Sequence, residues 1–453
     1  MAIRHGGKRP FSLIPSSLSL QYQFDKKIHF KINKKNKRPF MSPQLTLILI
    51  IYLLVKITQN IVSSVNLRHL AVYGHYVPKG FNSWVDQATL KKMRDYTLAH
   101  GKVDFIGSGV DMAVTLVFIF GGLLNSYNNW ITGNNWPPVL SGILFYLFLA
   151  WFSLIIHAPF SLYNTFHVEE KFGFNTQTPG LWCVDFVKEL VLTSVLLGLL
   201  LAGVFWLMDC FPASWWFIVW LFLLCFKLFT LYISPYVIEP LFNKFTPIED
   251  KNLETKIKGL MEKAGLSVSR VFTMDGSRRS RHGNAYFSGI GKTKRIVLFD
   301  TLLENSHDDE TLAILAHEAG HWKKKHIVKK LIIMELISFA GIYAAWWLIQ
   351  GNFLVDLFGL GQATLWSKLL LTGFLGSLIA FPFKPLSTWF SRRHEWEADD
   401  FAVQLTGTPK ALARALIRLG RDNLANLHPH PWYVSFHYSH PPLTRRVKKL
   451  LEN

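Results

Sequence analysis

Two histidines four residues apart, with a glutamate next to the first, make a compact holder for a divalent metal. The chain carries them at His317-Glu318-Ala319-Gly320-His321. On a helix, positions i and i+4 share one face. Both imidazoles can then turn to one zinc ion, while Glu318 stands beside the water the ion binds and can take its proton. Zinc lowers the pKa of that water toward about 7, which makes attack on a peptide carbonyl feasible at neutral pH. The setting is helical: Ser306 opens a capping-like signal with Asp309 three residues on, and Thr311–Ala316 is apolar and free of breakers. In a chain with 17 histidines the motif can arise by chance, and this unbroken helical setting argues against that.

A catalytic zinc takes three protein ligands and keeps a fourth position open. His326 lies five residues past His321, over the helix and not at a glycine turn, so a nearby third histidine is not expected. The stretch His394-Glu395-Trp396-Glu397-Ala398-Asp399-Asp400 offers two glutamates. Glu395 and Asp399 are four apart and share a helix face, which suits a ligand and a carboxylate that orients a zinc-bound imidazole. Taken alone, this stretch also reads as a solvated charged turn. Further on, His437-Tyr438-Ser439-His440-Pro441-Pro442-Leu443-Thr444-Arg445-Arg446 gathers groups able to stabilise an oxyanion. The rival reading there is an amphipathic terminal helix with its basic residues in solvent. His69, His75, His100 and His157 stand far from any partner motif and receive no role.

The elements that position these residues follow from composition. Of 453 residues, 50% are hydrophobic and only 17% charged, against about a quarter charged in soluble domains. Seven apolar stretches, near 45–65, 105–125, 139–160, 187–208, 214–236, 327–349 and 368–390, are each long enough for a spanning helix of about 20 residues. Glu335, Lys368 and Lys384 interrupt or border the last two, so they should face protein or water. The net charge of +19 follows the loops. Lys and Arg crowd 66–104, 239–326 and 391–453, which the positive-inside rule places in the cytoplasm. The lipid bilayer, and not nucleic acid, is therefore the implied partner of the basic charge. Cys183, Cys210 and Cys225 lack metal-ligand spacing and read as packing residues.

The domain reading is a basic extension over 1–40, membrane helices one to five within 41–238, a cytoplasmic insert at 239–326, helices six and seven within 327–390, and a C-terminal segment at 391–453. With seven spans the N-terminus falls outside the cytoplasm. The basic residues of 1–40 contradict that, so either translation begins at Met41 or the extension is a true basic tail. In the insert, Asn252–Gly265 reads as a helix, Arg270–Met274 and Arg295–Phe299 as strands, and Asn284–Gly289 as a third strand ending at a glycine turn.

HEAGH, HEWEADDFA and HYSHPPLTRR, in this order and spacing, resemble the type I CaaX prenyl endopeptidases, integral-membrane gluzincin zinc proteases. His167–Asn175, Pro240–Pro247 and Asn284–Gly289 match as well, and the resemblance covers about 70–453. It implies a mostly α, polytopic membrane protein. Its seven helices form a barrel around a hydrated chamber, and its cytoplasmic catalytic domain contains a small β-sheet. It also implies one zinc per chain, with His317, His321 and Glu395 as ligands and Glu318 as base. Asp399 matches a proton donor or orienting group, and His440 and Arg446 match groups that steady the tetrahedral intermediate. Asn284, Ala285 and Tyr286 match an edge that pairs with an extended peptide or protein substrate, a C-terminal CaaX-type prenylated chain. Glu397 stands where eukaryotic members carry Gln, and 66–104 is closer to bacterial members. That points to a bacterial homologue in the inner membrane, with the endoplasmic reticulum membrane as the eukaryotic location. A smaller HtpX-like quality-control protease, acting on unprenylated membrane proteins, is the alternative.

Overall fold

Long apolar runs fold as helices in lipid because only a helix satisfies its own backbone there. The computed structural model describes residues 41–289 and 295–452; the 1–40 extension and its proposed start at Met41 lie outside them or at their edge. Among the described residues, seven helices are long and apolar enough to cross a bilayer: α1 (Pro43–Tyr73), α2 (Gln87–Phe120), α3 (Pro138–Phe172), α4 (Pro179–Cys210), α5 (Trp215–Phe242), and, after α6 (Lys251–Lys263) and α7 (Asp308–Lys323), α8 (His326–Gln350) and α9 (Leu365–Thr406). Exposed Leu54, Val117, Ile155, Leu199, Phe229, Ile337 and Ile379 stud their surfaces, as lipid-facing residues should. Two amphipathic helices close the chain, α10 (Pro409–Asp422) and α11 (Leu443–Glu452).

Several boundaries differ from the sequence reading. α2 begins at Gln87, well before 105, because Asp86 caps it by accepting from the Thr89 N–H at 2.7 Å. Lys91, Lys92, Arg94 and Lys102 therefore sit on a helix instead of a loop. α9 does not stop at 390. It absorbs a 3₁₀ turn at Phe381–Phe383 and runs unbroken through Glu395 to Thr406, where Gly407 at φ +66° ends it. The helix of the metal motif starts one residue later than read, with a capping box between His307 and Glu310. Ser306 instead bonds the Leu302 carbonyl at 2.7 Å. The three cysteines are exposed. They lie on α4 and α5 and are not core packing residues.

Of the charges noted in the last two spans, Glu335 and Lys368 meet protein groups. Lys227 of α5 pairs with Glu335 of α8, and Lys368 Nζ donates to the carbonyls of Ile349 and Gly351 at 3.0 and 3.1 Å.

The three strands read from sequence are present as β2 (Arg270–Met274), β3 (Ala285–Ser288) and β4 (Arg295–Phe299), joined by an unforeseen β1 (Phe245–Pro247). β1 is three residues with a terminal proline, too short for any alternation to register. The sheet order is β1-β2-β4-β3, with β2 and β4 parallel and the other pairs antiparallel. β3 is thus an edge strand, and its outer side has no strand partner among the described residues. One face packs on α6 and α7 through buried Ile257, Met261, Ile296, Leu298 and Leu315. That packing fixes the metal-motif helix against the sheet.

Candidate active site

Site geometry begins with how closely α7 and α9 approach. A Cβ on Gly320 would lie 3.0 Å from Ala398 Cα and 3.1 Å from its carbonyl oxygen. Ala398 meets Gly320 there, and Ala316, Ala319 and Ala402 on the same two helices are also essentially buried. Small residues let the two backbones touch, and this brings the side chains above them together.

His317 and His321 come from α7 and Glu395 from α9. The two Nε2 atoms are 3.2 Å apart. Glu395 Oε2 lies 3.4 Å from His317 Nε2, and Oε1 lies 3.3 Å from His321 Nε2. Two imidazole lone pairs at that distance repel unless a proton or a cation lies between them. Glu395 Oε2 is buried and makes no hydrogen bond of good geometry. A tetrahedron with zinc-type bonds of about 2.0–2.1 Å has edges of about 3.3–3.4 Å; the Nε2–Nε2 separation approaches that edge, Glu395 meets the two rings through different oxygens, and the donor set of two imidazoles and a carboxylate, with the orphaned oxygen, fits zinc. Among the described residues, this is the group of His, Cys, Asp or Glu side chains able to hold a metal.

Around this trio the polar contacts are dense. His317 Nδ1 meets Asp399 Oδ1 at 2.8 Å. Arg446, itself buried, donates to both Asp399 oxygens, from Nε at 2.8 Å and Nη2 at 2.6 Å. Its Nη1 reaches 3.7 Å from Glu395 Oε2. The terminal helix therefore does not turn this arginine to solvent. Burial alone would lower the His317 imidazole, but the carboxylates of Asp399 and Glu395 outweigh it and push His317 up to about 9. Burial raises the Glu318 carboxyl above the usual range. His440 Nε2 sits 3.3 Å from Glu395 Oε1 with its side chain largely exposed, while Ser439 Oγ holds its Nδ1 at 2.8 Å. Desolvation within the site cleft holds the His440 pKa below the usual histidine value.

The edge residues lie nearby in the fold, since β3 packs on α7. Asn284 Oδ1 accepts from the Ala285 N–H at 2.8 Å, and its carbonyl accepts from Phe299 N at 3.0 Å. The Tyr286 hydroxyl donates to Glu239 at 2.9 Å, so β3 offers backbone, and not this hydroxyl, to an approaching chain.

Two groups escaped the sequence reading. One is His326, buried against His321. The other centres on Glu169, whose carboxylate accepts from Tyr96 at 2.7 Å and faces His100 at 2.9 Å and His282 at 3.2 Å. His282 and Gly283 are tied in turn to Asn423, which fixes the loop leading into Asn284. His100, given no role above, is therefore part of the support for that edge. Its partner Glu169 is 69 residues away in sequence, beyond any local spacing signal.

Residues 66–244 match the family profile described as CAAX prenyl protease N-terminal, five membrane helices, and 247–453 match Peptidase family M48. CAAX prenyl protease 1 of Saccharomyces cerevisiae is 35% identical over 403 residues, covering 83% of this chain and 88% of that protein. The chain belongs to the CaaX prenyl protease family of M48 peptidases. The Homo sapiens CAAX prenyl protease 1 homolog is 33% identical over 422 residues, covering 83% of this chain and 88% of that one. The crystal structure of S. mikatae Ste24p superposes with a TM-score of 0.84 at 31% identity, covering 90% of this chain and 99% of that chain. Family membership makes the protein an integral, multi-pass membrane metalloendopeptidase with zinc as its metal. The extent of the match and the seven membrane-length helices favour this family over the smaller HtpX-like alternative.

Proposed function

We propose that the site hydrolyses a peptide bond near the carboxyl terminus of an extended, prenylated CaaX-type substrate, with His317, His321 and Glu395 as zinc ligands and Glu318 as general base. The observation that carries this is the cluster of two histidines and one glutamate whose ligand atoms all lie within 4.8 Å of one another, backed by the buried Asp399–Arg446 pair.

Zinc bound there supplies a Lewis acid and an acidified water. Glu318 takes a proton from the attacking water and returns it to the leaving amine; burial raises its carboxyl above the usual carboxylate value, which favours holding that proton between the two steps. Asp399 is sealed between His317 and Arg446, so its work is to fix the His317 tautomer and not to shuttle protons. His440, neutral at pH 7 and held at Nδ1 by Ser439, offers Nε2–H to the developing oxyanion. Arg446 acts mainly by holding Asp399. The free edge of β3 receives the substrate backbone by β-augmentation, with Asn284, Ala285 and Tyr286 at its start.

The same reading turns the catalytic segments 239–326 and 391–453 to the cytoplasm, on the strength of their Lys and Arg, and has the seven helices enclose a hydrated chamber. The test is purified protein with prenylated and unprenylated CaaX peptides, with and without a zinc chelator. We expect chelator-sensitive cleavage of the prenylated peptide. Glu318→Gln should retain zinc and lose cleavage; proteolysis surviving in that variant would refute the assignment.

A further inference from the structure

We propose that His326 is a positioning residue for the metal ligand His321, relaying its Nδ1–H contact to the carboxylate of Glu397. The inference rests on the ligand set proposed above and adds a residue to it.

The argument is one of proton counting. A histidine that ligates through Nε2 uses that lone pair, so its remaining proton is on Nδ1 and needs an acceptor. For His317 the acceptor is Asp399. For His321 the facing atom is His326 Nδ1 at 3.1 Å. Two Nδ1–H groups cannot face each other at that distance, and neither can two lone pairs. His326 therefore accepts at Nδ1, and a neutral ring then carries its own proton on Nε2. That nitrogen lies 3.0 Å from Glu397 Oε2. Each proton is thus placed by the group beyond it, and the polarity runs from ligand to carboxylate.

The surroundings hold the ring to this task. His326 is 3% exposed. His394 stacks on it with centroids 4.2 Å apart and planes within 10°. Lys325 adopts φ +56°, a left-handed conformation uncommon for a non-glycine residue. It breaks the chain between α7 and α8, so His326 folds back onto His321 instead of continuing down the helix. Glu397 is anchored on its other oxygen by Arg393 Nε at 3.6 Å. The two ligand histidines are thus backed unequally: His317 by a buried carboxylate directly, His321 by a neutral ring with a half-exposed carboxylate behind it.

The experiment measures zinc affinity of the full-length protein in detergent by competition with a chromophoric chelator, apart from activity. His326→Ala should weaken zinc by about 10–100-fold, the usual cost of losing such a partner. Glu397→Ala, at a partly exposed position that tolerates truncation, should weaken it less. The double variant should be no weaker than His326→Ala, because both act through one chain of bonds. Native affinity in Glu397→Ala or in His326→Ala, or additive losses in the double variant, would overturn the relay. Glu395→Ala separates the two readings. If it keeps native affinity, the ligand set is wrong. If it loses zinc while the 326 and 397 variants hold it normally, the relay alone is wrong.

Discussion

At the scale of single residues, the site is organised around where protons must not be. In the metal-free protein the His317 imidazole is raised to about 9 by Asp399 and Glu395, against about 6.5 unfolded. Its proton therefore stabilises the fold below pH about 6.5, and that contribution fades as pH rises through about 9. A ligand imidazole must be neutral, so zinc competes with this proton. Zinc affinity should fall about tenfold per pH unit as pH drops below about 9, and binding at pH 7.5 should release protons. Calorimetry in buffers of different ionisation enthalpy measures that release; a buffer-independent enthalpy would contradict it. Arg446→Ala leaves the Asp399 carboxylate buried with half its partners. Breaking a buried pair this way costs about 3–5 kcal/mol, read as a lowered midpoint in denaturant or heat. His317, Glu318 and His321 were legible because helical periodicity puts chemistry at fixed spacing, and Glu395 with Asp399 for the same reason. His326 was legible only as a residue and not as a partner, since its role depends on a left-handed turn at Lys325 that no lysine announces. Glu169, His100 and His282 meet only through tertiary packing.

At the scale of elements, the decisive contact is α7 against α9. Gly320→Ala pushes a methyl to 3.0 Å from Ala398 Cα, and backbone cannot yield as a flexible side chain does. It should cost about 1–3 kcal/mol and loosen zinc by spreading His317 and His321 from Glu395. Gly341→Ala on α8 meets nothing within 4 Å, so better helix propensity should make it neutral or stabilising by up to about 1 kcal/mol. Thermal unfolding of the two variants side by side checks both. The spans and three strands were readable because apolar length and β-branched runs are local signals. The start of α2 was missed because a single capping aspartate outweighed basic residues that look like loop, and β1 because three residues hold no period.

At the scale of the whole molecule, charge follows the bilayer. The Lys227–Glu335 pair links α5 to α8 inside apolar surroundings. Removing one partner strands the other, so Lys227→Leu alone should destabilise more than Lys227→Leu with Glu335→Leu; thermal stability in lipid would show whether the double variant recovers. The sequence reading cut the chain at 390 between membrane and catalytic segments, yet α9 crosses that line as one helix of 42 residues. Such a rod is about 63 Å long, while the hydrocarbon layer is about 30 Å thick. Glu395, the proposed third donor to the ion, is thus carried on the far half of a mast whose foot is stepped in oil. Acyl-chain length would then act as a setting on catalysis: lipids that tilt the mast should detune the ion's grip, a sensitivity that no freely dissolved peptidase has.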